Sequence, residues 1–247
     1  MSSVRITFLG SGDAFASGGR FHTCMLVQAG ADDFLVDCGA SAITAMQQRG
    51  VRTDSIGAVF LSHLHGDHFG GLPYVIMDAH FVCGRKAPLL VTGPPGTRVR
   101  MMDMMEALYP GAWATGWRFP LEIVELEPAQ PHRVGGVTVT PYLVQHESGA
   151  PPFALRFECC GKAFAYSGDT EWTDTLIDAS RGTDLMICEC NSYDRKIRYH
   201  TDLPTLVSHR AALDTRRLIL THLGPAMLAH RETLPFEYAE DGMVVTL

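Results

Sequence analysis

The sequence predicts an α+β fold in four layers, an αββα sandwich of two mixed β-sheets packed face to face with helices outside. Three observations predict it: strands follow strands more often than they alternate with helices, helices gather toward the end of each half, and the order of elements approximately repeats. The first strand is read over 4–9, where Val4-Arg5-Ile6-Thr7-Phe8-Leu9 alternates and then meets Gly10-Ser11-Gly12, a turn whose glycines permit positive φ. Strands over 23–27 and 34–36 continue, a helix over 41–48 follows, and the apolar run Ala58-Val59-Phe60-Leu61 makes a buried strand. Helices over 73–79 and 97–108 flank a strand over 89–92, and Gly93-Pro94-Pro95-Gly96 breaks the chain before the second of them. Strands then dominate, over 123–126, 137–140, 153–157 and 163–167. The second half closes with a helix near 172–179, a strand over 185–188, a helix over 203–213 and strands over 217–220 and 243–246. The proline-rich patches at 94–95, 128–131 and 151–152 read as loops, so residues 1–247 are expected to form one domain large enough to bury its own core.

Composition narrows the functional classes. Hydrophobic residues make up 46% and charged residues 19% of the 247, the balance of a globular chain. No run of about 18 apolar residues is present, and Met1-Ser2-Ser3-Val4-Arg5 passes into a strand without a signal-peptide core, so the expected location is cytoplasmic and no membrane partner is expected. Seven cysteines, odd in number and without a CxxC pair, indicate reduced and mostly buried thiols. Met101, Met102, Met104 and Met105 in the helix over 97–108 read as core filler. A net charge of −7 disfavours a broad nucleic-acid-binding face, which needs clustered Lys and Arg, but leaves a small phosphate ester open.

The chemistry-bearing residues stand at the ends of strands. Directly after Ala58-Val59-Phe60-Leu61 comes Ser62-His63-Leu64-His65-Gly66-Asp67-His68, three histidines and an aspartate in six positions with a glycine that lets the backbone turn. Imidazole nitrogen and carboxylate oxygen are the usual donors for zinc and similar divalent ions. His146, Asp169 and His222 occupy the same context, each just beyond an apolar strand. Together they bring five histidines and two aspartates, the right number for two metals sharing a carboxylate.

With these residues in place the chain resembles the metallo-β-lactamase superfamily over nearly its whole length: Val36-Asp37-Cys38-Gly39, His63-Leu64-His65-Gly66-Asp67-His68, His146, Ser167-Gly168-Asp169-Thr170 and Leu220-Thr221-His222 recur in family order. The resemblance implies that His63, His65 and His146 hold one metal and Asp67, His68 and His222 the other, with Asp169 bridging, and that Asp37 organises the loop without ligating. Zinc is the expected ion, and manganese or iron also suit the donor set.

Within the superfamily the chain is most similar to the branch of tRNase Z and the cyclic-phosphate phosphodiesterase of the carbon-phosphorus lyase pathway. Leu9-Gly10-Ser11-Gly12, Gly93-Pro94-Pro95-Gly96, Glu189 and Tyr199-His200-Thr201-Asp202-Leu203 carry that likeness. It implies that His200 protonates the leaving oxygen or stabilises the phosphate, that Glu189 orients it, and that a hydroxide bridging the metals attacks phosphorus. Asp67 could accept a proton from the water, though ligation competes with that role. Bacterial tRNase Z enzymes commonly carry a long arm between the equivalents of His146 and Asp169, and here only about twenty residues separate them. The expected substrate is therefore a small or cyclic nucleotide-type phosphodiester, with nucleic acid less favoured and a homodimer compatible with the family. A lactone, thioester or β-lactam on the same centre, a tRNA 3′-processing endonuclease lacking the arm, and a non-catalytic metal-binding or RNA-interaction protein that retains the scaffold are the competing readings.

Overall fold

A computed structural model describes residues 3–247. The first half runs β1 (Val4–Gly10), β2 (Cys24–Ala29), β3 (Asp32–Val36), α1 (Ala42–Gln48), β4 (Ala58–Phe60), α2 (Gly66–Phe69), α3 (Leu72–Phe81), β5 (Leu89–Gly93), α4 (Thr97–Leu108), α5 (Ala112–Thr115) and β6 (Leu121–Glu125). The second runs β7 (His132–Val134), β8 (Val137–Leu143), β9 (Phe153–Cys159), β10 (Lys162–Tyr166), α6 (Thr175–Ser180), β11 (Leu185–Glu189), α7 (Leu203–His209), β12 (Leu218–Thr221), α8 (Pro225–Ala229) and β13 (Glu237–Tyr238). A last strand, β14 (Val244–Thr246), returns to pair antiparallel with β1.

The strands form two seven-stranded sheets, ordered β14-β1-β2-β3-β4-β5-β6 and β13-β12-β11-β10-β9-β8-β7. In each sheet an antiparallel meander leads into parallel strands: β1, β2 and β3 into β4, β5 and β6, and β7 to β10 into β11, β12 and β13. The approximate doubling read from the sequence is thus a repeated topology. The expected αββα sandwich is the observed one, and its layers follow from where apolar side chains can hide.

Between the sheets lies an aromatic-rich core that includes Phe8, Phe34, Phe60, Phe153, Phe157, Phe164 and Tyr166. Phe60 meets Phe34 and Phe157 edge to face with ring centroids 5.1 and 5.3 Å apart, and Phe157 stacks on Phe164 at 4.7 Å, arrangements that suit the ring quadrupoles. The outer face of the first sheet carries Leu26, Leu35, Val59 and Val91 against Met46, Val75 and Met101 of α1, α3 and α4. The outer face of the second carries Met186, Cys188 and Leu220 against Leu176, Leu206 and Met227 of α6, α7 and α8. Strands covered on both faces lose the polar alternation, so β4 and β11 are buried at every position.

Departures from the expected elements have local causes. The short strands β7 and β13 sit at the outer edges of their sheet, each with a single strand neighbour, and carry half-buried or exposed residues, which leaves no alternation to read. The helix expected over 203–213 ends at His209 and tightens into a 3-10 turn, Arg210–Ala212. Asp202 caps α7, its Oδ1 accepting the Thr205 amide at 2.9 Å. Of the four methionines of α4, Met101 and Met105 are buried and Met104 packs partly, but Met102 is 38% exposed and is not core filler. All seven cysteines are free and all but Cys83 and Cys160 are buried. Among the described residues no helix is long and apolar enough to cross a membrane.

Candidate metal centre

The carboxyl ends of the strands that run in the same direction deliver the sequence-predicted site residues to one end of the sandwich, where open α/β sheets place their ligands. Asp37 follows β3, His63, His65, Asp67 and His68 follow β4, Asp169 follows β10, Glu189 ends β11 and His222 follows β12. His146 arrives just after β8. The backbone bends hard to aim them: Asp37, Tyr199 and His222 hold left-handed φ of 56°, 70° and 58°, conformations that cost about 1–3 kcal/mol each and persist where surrounding contacts hold them. The turn before Asp169 needs Gly168, since a Cβ there would stand 2.5 Å from the Phe153 carbonyl oxygen.

Two groups of potential ligand atoms result. His63, His65 and His146 form one, and Asp67, His68, Asp169 and His222 form the other. His146 Nε2 stands 3.0 Å from His65 Nδ1. Asp67 Oδ2 lies 3.1 Å from His68 Nε2 and 3.2 Å from His222 Nε2, while Asp169 Oδ2 lies 3.3 Å from both of those and 3.9 Å from His63 Nε2. Asp169 therefore stands between the groups. Donor atoms about 2.0–2.1 Å from a tetrahedrally bound zinc ion would stand about 3.3 Å from one another, close to these separations.

Hydrogen bonds on the far side of three imidazoles set their tautomers. His68 Nδ1 donates to Asp37 Oδ2 at 2.7 Å. The Ser62 hydroxyl donates to the same carboxylate at 2.8 Å and so must accept from His63 Nδ1, 3.0 Å away. His146 Nδ1 donates to the Tyr199 carbonyl at 2.9 Å. Each of these rings thereby keeps a proton on Nδ1 and turns Nε2 toward the centre, the nitrogen a metal ion would take in place of a proton. Nε2 of His63, Nε2 of His68 and Oδ1 of Asp169 are buried with no hydrogen-bond partner, an arrangement that costs free energy unless something else satisfies them. The donor set, its spacing and these orphaned atoms fit divalent cations.

Electrostatics agree. Burial pushes the His63 pKa well below the ordinary imidazole value, and it lowers His65 and His146 too, so all three are neutral donors. Burial opposes ionisation of Asp169 and Asp67, but His68 and His222 outweigh it and hold both carboxylates ionised. Burial likewise disfavours charge on His68 and His222, and the carboxylates overcome it and raise both. The pocket draws positive charge to itself, and a divalent ion delivers that charge without protonating the ligands.

Beside the centre stands a second pair. His200 Nδ1 lies 2.9 Å from Oε1 of the fully buried Glu189, whose same oxygen accepts the Thr170 amide at 2.8 Å. Burial opposes protonation of His200, but the Glu189 charge and hydrogen bond prevail and its pKa is pushed up to about 9. Its ring packs 5.1 Å from His146 and stacks at 5.5 Å on His222. Every predicted site residue is thus assembled at one end of the fold. Ser62, the Tyr199 carbonyl and Glu171, whose Oε1 anchors the Tyr199 amide at 2.6 Å, are supporting groups that spacing alone did not reveal. The positions of Ser62 immediately before the histidine cluster and of Tyr199 immediately before His200 were the available signals.

A profile of the protein family described as "Anti-Pycsar protein Apyc1" matches residues 4–243. The chain belongs to that family. The Apyc1 match spans every candidate ligand together with Glu189 and His200. The chain is also similar to Ribonuclease Z of Mycobacterium marinum, 27% identical over 252 residues that cover 93% of this chain and 89% of the relative. Among solved structures it resembles the metallo-β-lactamase fold protein YhfI from Bacillus subtilis, with a TM-score of 0.80, 23% identity and coverage of 99% and 100% of the two chains. Human tRNase Z, short form, follows with a TM-score of 0.78, 24% identity and coverage of 98% of both. These likenesses give this Apyc1-family chain the metallo-β-lactamase fold and relate it in sequence to Ribonuclease Z.

Proposed function

We propose that this Apyc1-family hydrolase cleaves a small nucleotide-type phosphodiester, cyclic diesters included, on two divalent ions. His63, His65 and His146 would hold one, Asp67, His68 and His222 the other, and Asp169 both, with zinc the first candidate and manganese or iron alternatives. Cations bound there would supply Lewis acidity for phosphate oxygens and would lower the pKa of a bound water toward ~7. The remaining roles belong to the protein. Asp37, Ser62 and Tyr199 hold three ligand rings in the tautomer that leaves Nε2 free. With Glu189 taking the Nδ1 proton in a hydrogen bond, His200 can carry a second proton at Nε2 for the departing alkoxide. Asp67, engaged by both His68 and His222, is better placed as a ligand than as a base.

The observation that carries the phosphodiester reading is the His200–Glu189 pair at the edge of the centre. An alkoxide leaving phosphorus needs a proton, and a histidine kept charged by a buried glutamate offers one at neutral pH. The similarity to Ribonuclease Z supports phosphodiester chemistry and keeps RNA in view. The segment between His146 and Asp169 is filled by the β9–β10 hairpin, so no arm projects there, which together with the net charge of −7 favours a small diester. Metal analysis joined to a screen of cyclic nucleotides, linear diesters, lactones and thioesters, with wild type and His200→Ala, tests the proposal. Metal-dependent turnover of diesters that collapses in His200→Ala while metal content holds is the expected outcome; turnover confined to lactones or thioesters rejects it.

A further inference from the structure

Two clefts open beside the candidate centre and divide at Tyr199 and His200. Tyr199 is fixed on three sides: its amide donates to Glu171, its carbonyl accepts from His146 and its hydroxyl donates to Glu147. One cleft, about 390 Å³, touches His146 and Tyr199 along residues 144–150. The other, about 470 Å³, touches His200 and is lined by Trp172, Lys196, Arg198, Thr205 and His209 among others. Both volumes lie within the roughly 300–1,000 Å³ of small-molecule sites.

The two clefts differ in charge. In the larger one both acids are already engaged: Glu171 accepts the Tyr199 amide, and Asp202 accepts the amide and hydroxyl of Thr205. The cations are not. Lys196 and Arg198 make no ion pair among the described residues; both are exposed, and the Arg198 guanidinium rests 4.4 Å above the Tyr199 ring. Arg195 is exposed one position before Lys196. Arg195, Lys196 and Arg198 outnumber Asp194 in this exposed segment, which sets unpaired cations beside the centre in a chain of net charge −7. Trp172, stacked on His209 at 4.2 Å, forms an aromatic wall.

We infer that the cleft beside His200 is the subsite for the departing alcohol of the diester, and that Lys196 and Arg198 recruit the anionic substrate to it. The inference rests on the phosphodiester reading: the oxygen that takes the His200 proton carries the leaving alcohol, so that alcohol lies on the His200 side of the phosphate. The smaller cleft is left for the retained side. Wall and cations together suit a nucleoside-type alcohol whose diester carries negative charge.

The test measures kcat and KM of the metal-loaded protein with a dinucleoside monophosphate and with bis(p-nitrophenyl) phosphate across ionic strength. In the double variant Lys196→Glu with Arg198→Glu, kcat/KM falls about ten-fold or more at low salt, the loss lies in KM, and the decline of kcat/KM with salt seen in wild type flattens. Lys196→Arg with Arg198→Lys restores it. Lys86→Glu, an exposed cation in the loop after α3, changes net charge in the same direction and leaves the salt dependence as in wild type. Trp172→Ala raises KM for the dinucleotide, with its bulky alcohol, far more than for the aryl ester. Unchanged salt dependence in the reversal variant, or equal effects of Trp172→Ala on both substrates, overturns the subsite assignment. Absence of diester turnover in the wild type defeats the parent reading instead, so the two failures are distinguishable.

Discussion

Asp37 and His68, 31 residues apart in sequence, are joined by a 2.7 Å hydrogen bond between Oδ2 and Nδ1 that turns the His68 Nε2 toward Asp67 and Asp169. The same carboxylate takes the amide and hydroxyl of Ser62, so one buried acid positions two histidines of the centre. Replacing it with Ala leaves the Ser62 amide and hydroxyl and the His68 ring nitrogen without their acceptor, at about 1–3 kcal/mol for each group that finds no other partner. Asp37→Ala is therefore expected to lower the melting temperature and to weaken metal binding roughly 10–100-fold, the usual scale for partners of ligating histidines. Calorimetry and competition with a chelating dye check both, and wild-type affinity in a folded Asp37→Ala would rule out the positioning role.

Removing the metals should cost stability. The site gathers two ionised aspartates and five buried or half-buried imidazoles whose donor atoms point inward. An ion that binds the folded state alone stabilises it by about 2.7 kcal/mol at a concentration one hundred times its dissociation constant. Dialysis against a chelator is expected to lower the melting temperature, and added zinc to restore it. Asp169→Asn, which touches both groups, should abolish the zinc-dependent rise; a melting temperature indifferent to zinc in the wild type would count against the centre.

His200 sets a pH limit whose sign is fixed by Glu189. Its folded pKa, about 9, lies above the ordinary histidine value, so its protonated form contributes stability that is complete below roughly pH 6.5 and is lost as pH rises through about 9. In the metal-free protein, imidazole NMR should show His200 titrating near the upper value. Glu189→Gln removes the charge that holds the proton, so the transition should move to lower pH, and in the metal-loaded enzyme the alkaline fall in kcat/KM should move with it. A titration that stays in place after Glu189→Gln would mean that another group controls His200.

The turn at Gly168 offers a test without metals or substrate. Its φ is +59°, and an added Cβ would meet the Phe153 carbonyl oxygen at 2.5 Å and the Ser62 Cβ at 3.1 Å. Gly168→Ala is expected to destabilise the fold by about 1–3 kcal/mol from the backbone conformation alone, with the clash in addition. Denaturant unfolding reads the change, and a variant as stable as wild type would show that the turn can relax.

Much of this protein was legible from residue order. The histidine and aspartate cluster at 63–68 is local, so its ligands are near one another in space whatever the rest of the chain does, and the strands before His146, Asp169 and His222 advertise themselves through apolar runs. The doubled order of strands and helices determined the sandwich, because sheets buried on both faces leave few other ways to hide their side chains. Edge strands such as β7 and β13 escaped notice since they bury little.

Other features were decided only by tertiary structure. Which nitrogen of His63, His68 and His146 faces the centre depends on Ser62, Asp37 and the Tyr199 carbonyl, partners brought from up to 53 residues away. The elevated His200 pKa arises from a glutamate buried at the end of β11, and burial is a property of the packed sheets rather than of the residue. Residue type thus determined which atoms could bind a cation, while packing determined their tautomers and charges, because both depend on distances of about 3 Å that only the closed fold creates.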